Sequence, residues 1–104
     1  MNQRLVVQQF EGTEVGTIHQ AEDGSLVVEG TTPAHGAALQ ELINRIIGTP
    51  LSYRTGNDVT SQQGITHIEL AKKVAPSDPD YLLALSDELP NHTLLGQRIH
   101  GYVM

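Results

Sequence analysis

The chain has no cysteine and no tryptophan, and among its 104 residues there are only one phenylalanine and three tyrosines. The absence of cysteine excludes disulfide bonds, a thiol nucleophile and every metal site with cysteine ligands. Because aromatic rings are so few, the core has to be built from the Leu, Ile and Val residues, which number 27. At this length we expect a single domain over residues 1–104 with one aliphatic core.

Basic residues are also scarce. The chain has 6 Lys and Arg against 12 Asp and Glu, which gives a net charge of −6. Between Leu5 and Asn44 there are six acidic residues and no Lys or Arg. Phosphate contacts need clustered basic groups, so we expect no nucleic-acid partner. The acidity suits a basic protein partner, although moderate negative charge is also an ordinary solubility feature.

Long apolar runs and known catalytic motifs are missing as well. No stretch approaches the roughly 20 apolar residues of a membrane span, and no secretory signal pattern opens the chain. We therefore expect no membrane partner and a cytoplasmic location. The sequence lacks the Walker, dinucleotide, nucleophile-elbow and zinc-protease patterns. It predicts no catalytic residue, no metal and no cofactor, and it favours binding over catalysis while leaving an enzyme open.

The clearest local signal is a helix over residues 33–47. Thr32 can cap it, and Pro33 suits the first helical position because its missing N–H is not needed there. Apolar residues at 38, 39, 42, 43, 46 and 47 cover about half of the helical wheel. Gly48 is the expected stop. Gly36 in the first turn is unfavourable by about 1 kcal/mol relative to alanine.

Three β-rich segments precede this helix and predict strands over 4–10, 15–20 and 25–29. Their connections are too short for a parallel crossover, so they form an antiparallel meander. After the helix we predict short strands over 51–55 and 65–72, the second of which also has apolar spacing compatible with a helix. Asp78 and Pro79 repeat the cap-and-proline signal and predict a second helix over 79–89. A final strand is predicted over 95–103.

These elements predict a small α+β domain, mostly an antiparallel sheet packed against two helices at about 33–47 and 79–89. The predicted order along the chain is β-β-β-α-β-β-α-β. An exposed edge of this sheet, or the apolar Leu83 off the main face of the second helix, would suit a homodimer.

Histidines supply the candidate chemistry, because only they change charge near neutral pH. His67 and Glu69 would share one face of a strand and could hold a metal or a proton, but a metal needs a further ligand that the sequence does not name, so a solvent-facing polar stripe is the better interpretation. His35 falls within the apolar stripe of the first helix, where it could line a pocket or pack as a structural residue. His100 could act as a base oriented by Asp87 or Glu88.

The turn over residues 30–36 is rich in glycine and lies between a strand and a helix. Such a turn can bind an anion on free backbone N–H groups. Pro33 removes one of those donors and no lysine accompanies the turn, so a turn with a helix cap is the better interpretation.

Three function hypotheses follow. The first is a non-catalytic protein- or peptide-binding accessory or adaptor module that uses an exposed edge of the first, fourth or last strand. The second is an inhibitor or immunity-type protein that covers a basic enzyme surface with Glu11, Glu14, Glu22 and Asp23. The third is a metal-dependent or general-base enzyme built from His35, His67, Glu69 and His100.

Overall fold

The computed structural model describes residues 3–54 and 71–104 and confirms the α+β class. A five-stranded antiparallel sheet has the order β3-β2-β1-β7-β6, and a separate antiparallel pair joins β4 and β5. The strands are β1 Arg4–Gln9, β2 Glu14–Gln20, β3 Leu26–Gly30, β4 Leu51–Arg54, β5 Ala71–Val74, β6 Thr93–Leu94 and β7 Gln97–Val103. The helices are α1 Pro33–Ile47 and α2 Tyr81–Glu88, and a 3-10 turn, Leu89–Asn91, follows α2.

The core lies between one face of the five-stranded sheet and the two helices. Alternate residues of β1, Leu5 and Val7, are fully buried there because side chains of a strand point to opposite faces in turn. The same buried cluster contains the apolar residues of both helices, Leu39, Leu42, Ile43, Ile46, Tyr81, Leu82, Ala84 and Leu85. Both helices therefore pack on the Leu5 face of the sheet.

The first helix forms as its sequence predicts. The Thr32 hydroxyl accepts a hydrogen bond from the His35 backbone N–H at 3.1 Å, which satisfies one of the free donors of the first turn. The backbone of Gly36 packs closely against the end of β3. A Cβ on Gly30, at the end of β3, would overlap the backbone nitrogen and Cα of Gly36. The strand therefore turns into the helix through a direct backbone contact between two glycines.

The second helix begins two residues later than predicted, because Asp78 does not cap it. The Asp78 carboxylate accepts the Ala75 backbone N–H at 2.7 Å, and α2 starts at Tyr81. The Gln20 side-chain amide donates to the carbonyl oxygens of Pro76 at 2.8 Å and of Asp78 at 2.7 Å. These bonds hold the segment before α2 in a turn and tie it to β2.

The predicted strand over 95–103 is confirmed as β7 at 97–103, but its first two residues do not belong to the strand. The chain instead forms a hairpin of β6 and β7 around the two-residue turn Leu95-Gly96. Both turn residues have positive φ, 49° at Leu95 and 79° at Gly96, as the turns favoured in two-residue hairpins require. Leucine rarely adopts this conformation, so the sequence signal for the turn is weak.

Two of the three predicted edge strands, the first and the last, also need correction. β1 pairs with β2 and β7, and β7 pairs with β1 and β6, so neither the first nor the last strand is an edge. Of the five-stranded sheet, β3 and β6 form the edges. The fourth strand ends at Arg54, and β5 overlaps the predicted strand over 65–72 at 71–72 only, because 55–70 lie outside the described residues.

Candidate protein-interaction surface

The second face of the sheet carries side chains that point away from both helices. On β1 these are Arg4, Val6 and Gln8, since Leu5 and Val7 belong to the core cluster and Val6 does not. The neighbouring strand β7 is in register, with Val6 opposite Tyr102 and Gln8 opposite His100. Four cross-strand pairs result, and we name them the β1–β7 strip: Arg4 with Met104, Val6 with Tyr102, Gln8 with His100 and Phe10 with Arg98.

The β1–β7 strip concentrates the exposed apolar surface of the protein. In the described ranges, five large hydrophobic residues are exposed, and three of them, Phe10 (60%), Tyr102 (44%) and Met104 (63%), are on this strip. Val6 lies between them and is only 3% exposed. An exposed apolar group of this kind, with polar residues around it, is typical of an interaction surface.

Phe10 organises one end of the strip. Its ring meets the His100 ring edge to face, with centroids 5.6 Å apart. The Arg98 guanidinium carbon lies 4.7 Å from the centre of the same ring, within the range of a cation–π interaction. The aromatic ring thus holds an arginine head group in place at the surface, which reduces the side-chain entropy that Arg98 would lose on binding a partner.

The charge of the strip is opposite to that of the whole chain. Two of the six basic side chains, Arg4 and Arg98, lie near its two ends, and none of the eight residues of the strip is Asp or Glu. On the same face, Glu14 on β2 and Glu29 on β3 lie outside the strip, on the β3 side of the described sheet. The local charge therefore favours a partner with acidic groups at both ends of an apolar patch.

The four acidic residues predicted as a binding surface do not lie together. Glu11 is in the β1–β2 turn and Glu14 begins β2, whereas Glu22 and Asp23 are in the turn after β2. The strand between them has 7 residues and spans roughly 20 Å. The Asp23 carboxylate accepts hydrogen bonds from the Ser25 Oγ–H at 2.6 Å and the Ser25 N–H at 2.9 Å, which lower the pKa of Asp23.

The candidate histidines are equally scattered. His35 is half-buried in the first turn of α1, and its Nδ1 lies 3.0 Å from the Thr32 hydroxyl oxygen. His67 and Glu69 lie outside the described residues. Within 3–54 and 71–104, no three His, Asp or Glu residues are close enough together to hold a metal ion.

The proposed pairing of His100 with Asp87 or Glu88 is also wrong. His100 lies against Phe10 on the face of the sheet that points away from both helices, which we call the open face. The second helix, α2, packs on the opposite face. Glu88 instead pairs with His92, whose Nε2 is 2.7 Å from Glu88 Oε2. This pair borders a cleft of about 420 Å³ lined on its apolar side by Leu42, Ile46 and Leu51. An i,i+4 pair of this kind links the end of α2 to the following turn.

Tyr81, at the start of α2, gives a test of the core. Its side chain is buried, and its hydroxyl has no hydrogen-bond partner among the described residues. Burial raises the pKa of Tyr81 above its ordinary value of 10.0, and the Glu88 carboxylate adds to the shift. We expect Tyr81→Phe to leave the free energy of unfolding at neutral pH unchanged or to raise it by about 1 kcal/mol, because the substitution removes a buried unpaired hydroxyl.

The same substitution changes the response to alkali. A raised pKa in the folded state means that folding favours the neutral phenol, so this contribution is fully present below the pKa of the unfolded chain. It is lost as the pH rises through the folded-state pKa. Urea unfolding at neutral pH and above pH 10.0 measures both effects, and Tyr81→Phe is expected to lose less stability in alkali than the wild type. A large loss at neutral pH would mean that the hydroxyl has a partner.

The sequence alone does not predict the strip, although it does show which residues share a face within each of the two strands. Arg4-x-Val6-x-Gln8-x-Phe10 and Arg98-x-His100-x-Tyr102-x-Met104 each place alternate residues on one face of a strand. The sequence does not state that these two strands are neighbours, since they lie at opposite ends of the chain. Only the pairing of β1 with β7 brings these two sets of residues together on one surface.

Comparison with known proteins adds no functional assignment to this surface. No family model, no curated protein and no solved structure matches the chain. The longest helix of the described chain has 15 residues, and none there has both the length and the apolar character of a membrane span.

Proposed function

We propose that the chain is a non-catalytic protein-binding module and that its partner binds on the β1–β7 strip. The observation that carries this proposal is the concentration of three exposed large apolar side chains on a sheet face that lies opposite both helices. Tyrosine, phenylalanine, methionine and arginine, all present on the strip, are the residue types enriched in the buried centres of protein interfaces. A rigid sheet also presents them with little loss of backbone entropy.

The strip specifies the chemistry of the partner. From Arg4 to Phe10 it extends roughly 20 Å along β1, which suits the centre of an interface of ordinary size. An apolar group of the partner would cover Tyr102 and Phe10, and carboxylates would meet Arg4 and Arg98 at the two ends. Val6, already buried among its neighbours, forms the floor of this site.

A photo-cross-linking experiment tests the proposal and captures the partner in the same step. One variant carries a photoreactive phenylalanine analogue in place of Tyr102, and the control carries it in place of Ile47. Ile47 is a good match because it is 39% exposed against 44% for Tyr102 but lies on α1, on the opposite side of the sheet. After irradiation in cells of the source organism, position 102 is expected to give a specific protein adduct and position 47 is not.

The result against the proposal is equally clear. The same adducts at both positions, or adducts from position 47 alone, would mean that the strip is not the binding surface. The inhibitor hypothesis has less support, because the four acids on which it depends lie at opposite ends of β2 and form no continuous surface.

A further inference from the structure

The outer edge of β3 presents backbone groups in a regular array that is unpaired within residues 3–54 and 71–104. Two hydrogen bonds fix which residues point outward: Ala21 N–H to Ser25 O at 2.7 Å and Thr31 N–H to Val15 O at 3.0 Å. Because the pattern alternates along an antiparallel strand, Val27 and Glu29 bond to β2 and the intervening residues point away. Outward-facing N–H and C=O groups therefore belong to Leu26, Val28 and Gly30, and no described residue pairs with them.

This edge lacks several of the features that usually protect a free strand, and Glu29 is its one charged residue. β3 contains no lysine, no proline and no bulge, and its three apolar side chains, Leu26, Val27 and Val28, are only half-buried. Leu26 and Val28 pack partly on the core, and Val27 lies on the open face. A strand added here would satisfy the backbone groups and cover these side chains on both faces.

We propose that the added strand is β3 of a second copy of this chain, paired antiparallel about a two-fold axis at Val28. In this register Val28 faces Val28 of the second copy, and Leu26 faces Gly30 of the second copy. Every outward-facing residue of both strands then has an outward-facing partner. A two-fold axis at Val27 would pair only Leu26 with Val28 and leave Gly30 unpaired. The axis at Val28 is thus the register that uses the whole edge.

The charges around the edge agree with this register. Antiparallel pairing brings the Glu22–Asp23 turn of one copy beside the α1 N-terminus of the other. The first turn of α1 contains no acidic residue, so its positive dipole end has no carboxylate of its own. His35 lies in the same turn. Glu29 would face Val27 of the second copy, so no two like charges are directly opposite.

A pairing about an axis normal to the sheet keeps both open faces on the same side. The dimer would have a continuous ten-stranded sheet, made from two sheets of five strands, and would present two β1–β7 strips side by side. The dimer does not depend on the proposed function of those strips. If both hold, the module would bind a partner bivalently and gain affinity through effective concentration.

Sedimentation velocity over a wide range of protein concentration tests the dimer, with Val28→Pro and Val28→Ala as a matched pair. Both variants lose the valine side chain, but only proline removes the outward N–H, and it breaks no β2–β3 hydrogen bond. We expect a dimer for the wild type and for Val28→Ala. For Val28→Pro we expect a dissociation constant at least about tenfold above that of Val28→Ala, because two intersubunit hydrogen bonds are lost.

Amide hydrogen exchange of the wild type gives a second measurement that needs no variant. The Val28 amide is expected to be protected at high protein concentration and to exchange faster on dilution, while the Val27 amide, bonded within the subunit, stays protected. A wild type that is monomeric throughout would overturn the proposal. So would a dimer that Val28→Pro leaves intact, or one that Tyr102→Ala dissociates and Val28→Pro does not, since the latter would place the contact on the strip.

Discussion

Replacing Gly30 with alanine is expected to lower the free energy of unfolding by about 3 kcal/mol or more. The added Cβ would overlap the Gly36 backbone and lie 2.8 Å from the Thr32 carbonyl oxygen. These are backbone atoms of the first turn of α1 and cannot rotate away as a side chain does. The helix would have to move off β3, which would loosen the contact of Leu39 with the sheet. Urea unfolding monitored by circular dichroism measures the loss.

Gly36→Ala is the matched control for this prediction. A Cβ at position 36 would lie 3.4 Å from the Gly30 nitrogen and 3.5 Å from its Cα, which requires only a small adjustment. Alanine is also favoured over glycine in a helix by about 1 kcal/mol. We therefore expect Gly36→Ala to be neutral or slightly stabilising. Equal stability changes for the two variants would show that the glycine contact does not set the position of α1.

The second large effect is expected at Tyr102. Replacing it with alanine is expected to weaken partner binding roughly 30-fold, about 2 kcal/mol, as is usual for an aromatic residue at the centre of an interface. The same substitution is expected to change the free energy of unfolding by less than about 1 kcal/mol, because 44% of the residue is already exposed. A large effect on binding with a small effect on folding separates a contact residue from a structural one.

The arginines near the ends of the strip are expected to act differently from Tyr102. Arg98 is held over the Phe10 ring and can meet an acidic group of the partner without further ordering. Its charge would raise the association rate at low salt, and this effect is screened as ionic strength rises. Tyr102 contributes apolar burial, which salt screens little, so we expect the effect of Tyr102→Ala to persist at high salt.

Local signals in the sequence predicted the parts of the fold that depend on neighbouring residues. Thr32, Pro33 and Gly48 mark α1 because capping, proline geometry and helix termination act within a few residues. The antiparallel meander of β1, β2 and β3 follows from short connections. The second helix shows the limit of this reasoning, since Asp78 has the residue type of a cap but bonds to Ala75 instead.

Long-range pairing decided what the sequence could not predict. The β1–β7 strip exists only because Val6 lies opposite Tyr102 in the sheet. This register cannot be predicted from the residues near either position. The β6–β7 turn depends on Leu95 in a left-handed conformation that leucine seldom adopts. The choice of edge strand depends on the same pairing, because placing β7 beside β1 makes the first and last strands interior and leaves β3 at an edge of the described sheet.

The most direct test of the binding surface is the dissociation constant of the cross-linked partner for the wild type, Tyr102→Ala and Ile47→Ala, measured in parallel by calorimetry. Ile47→Ala removes a comparably exposed apolar side chain from the opposite side of the sheet. If the partner binds on the strip, Tyr102→Ala is expected to bind the partner roughly 30-fold more weakly, and Ile47→Ala is expected to bind it like the wild type. Equal affinities for Tyr102→Ala and the wild type, with both proteins folded, would contradict it.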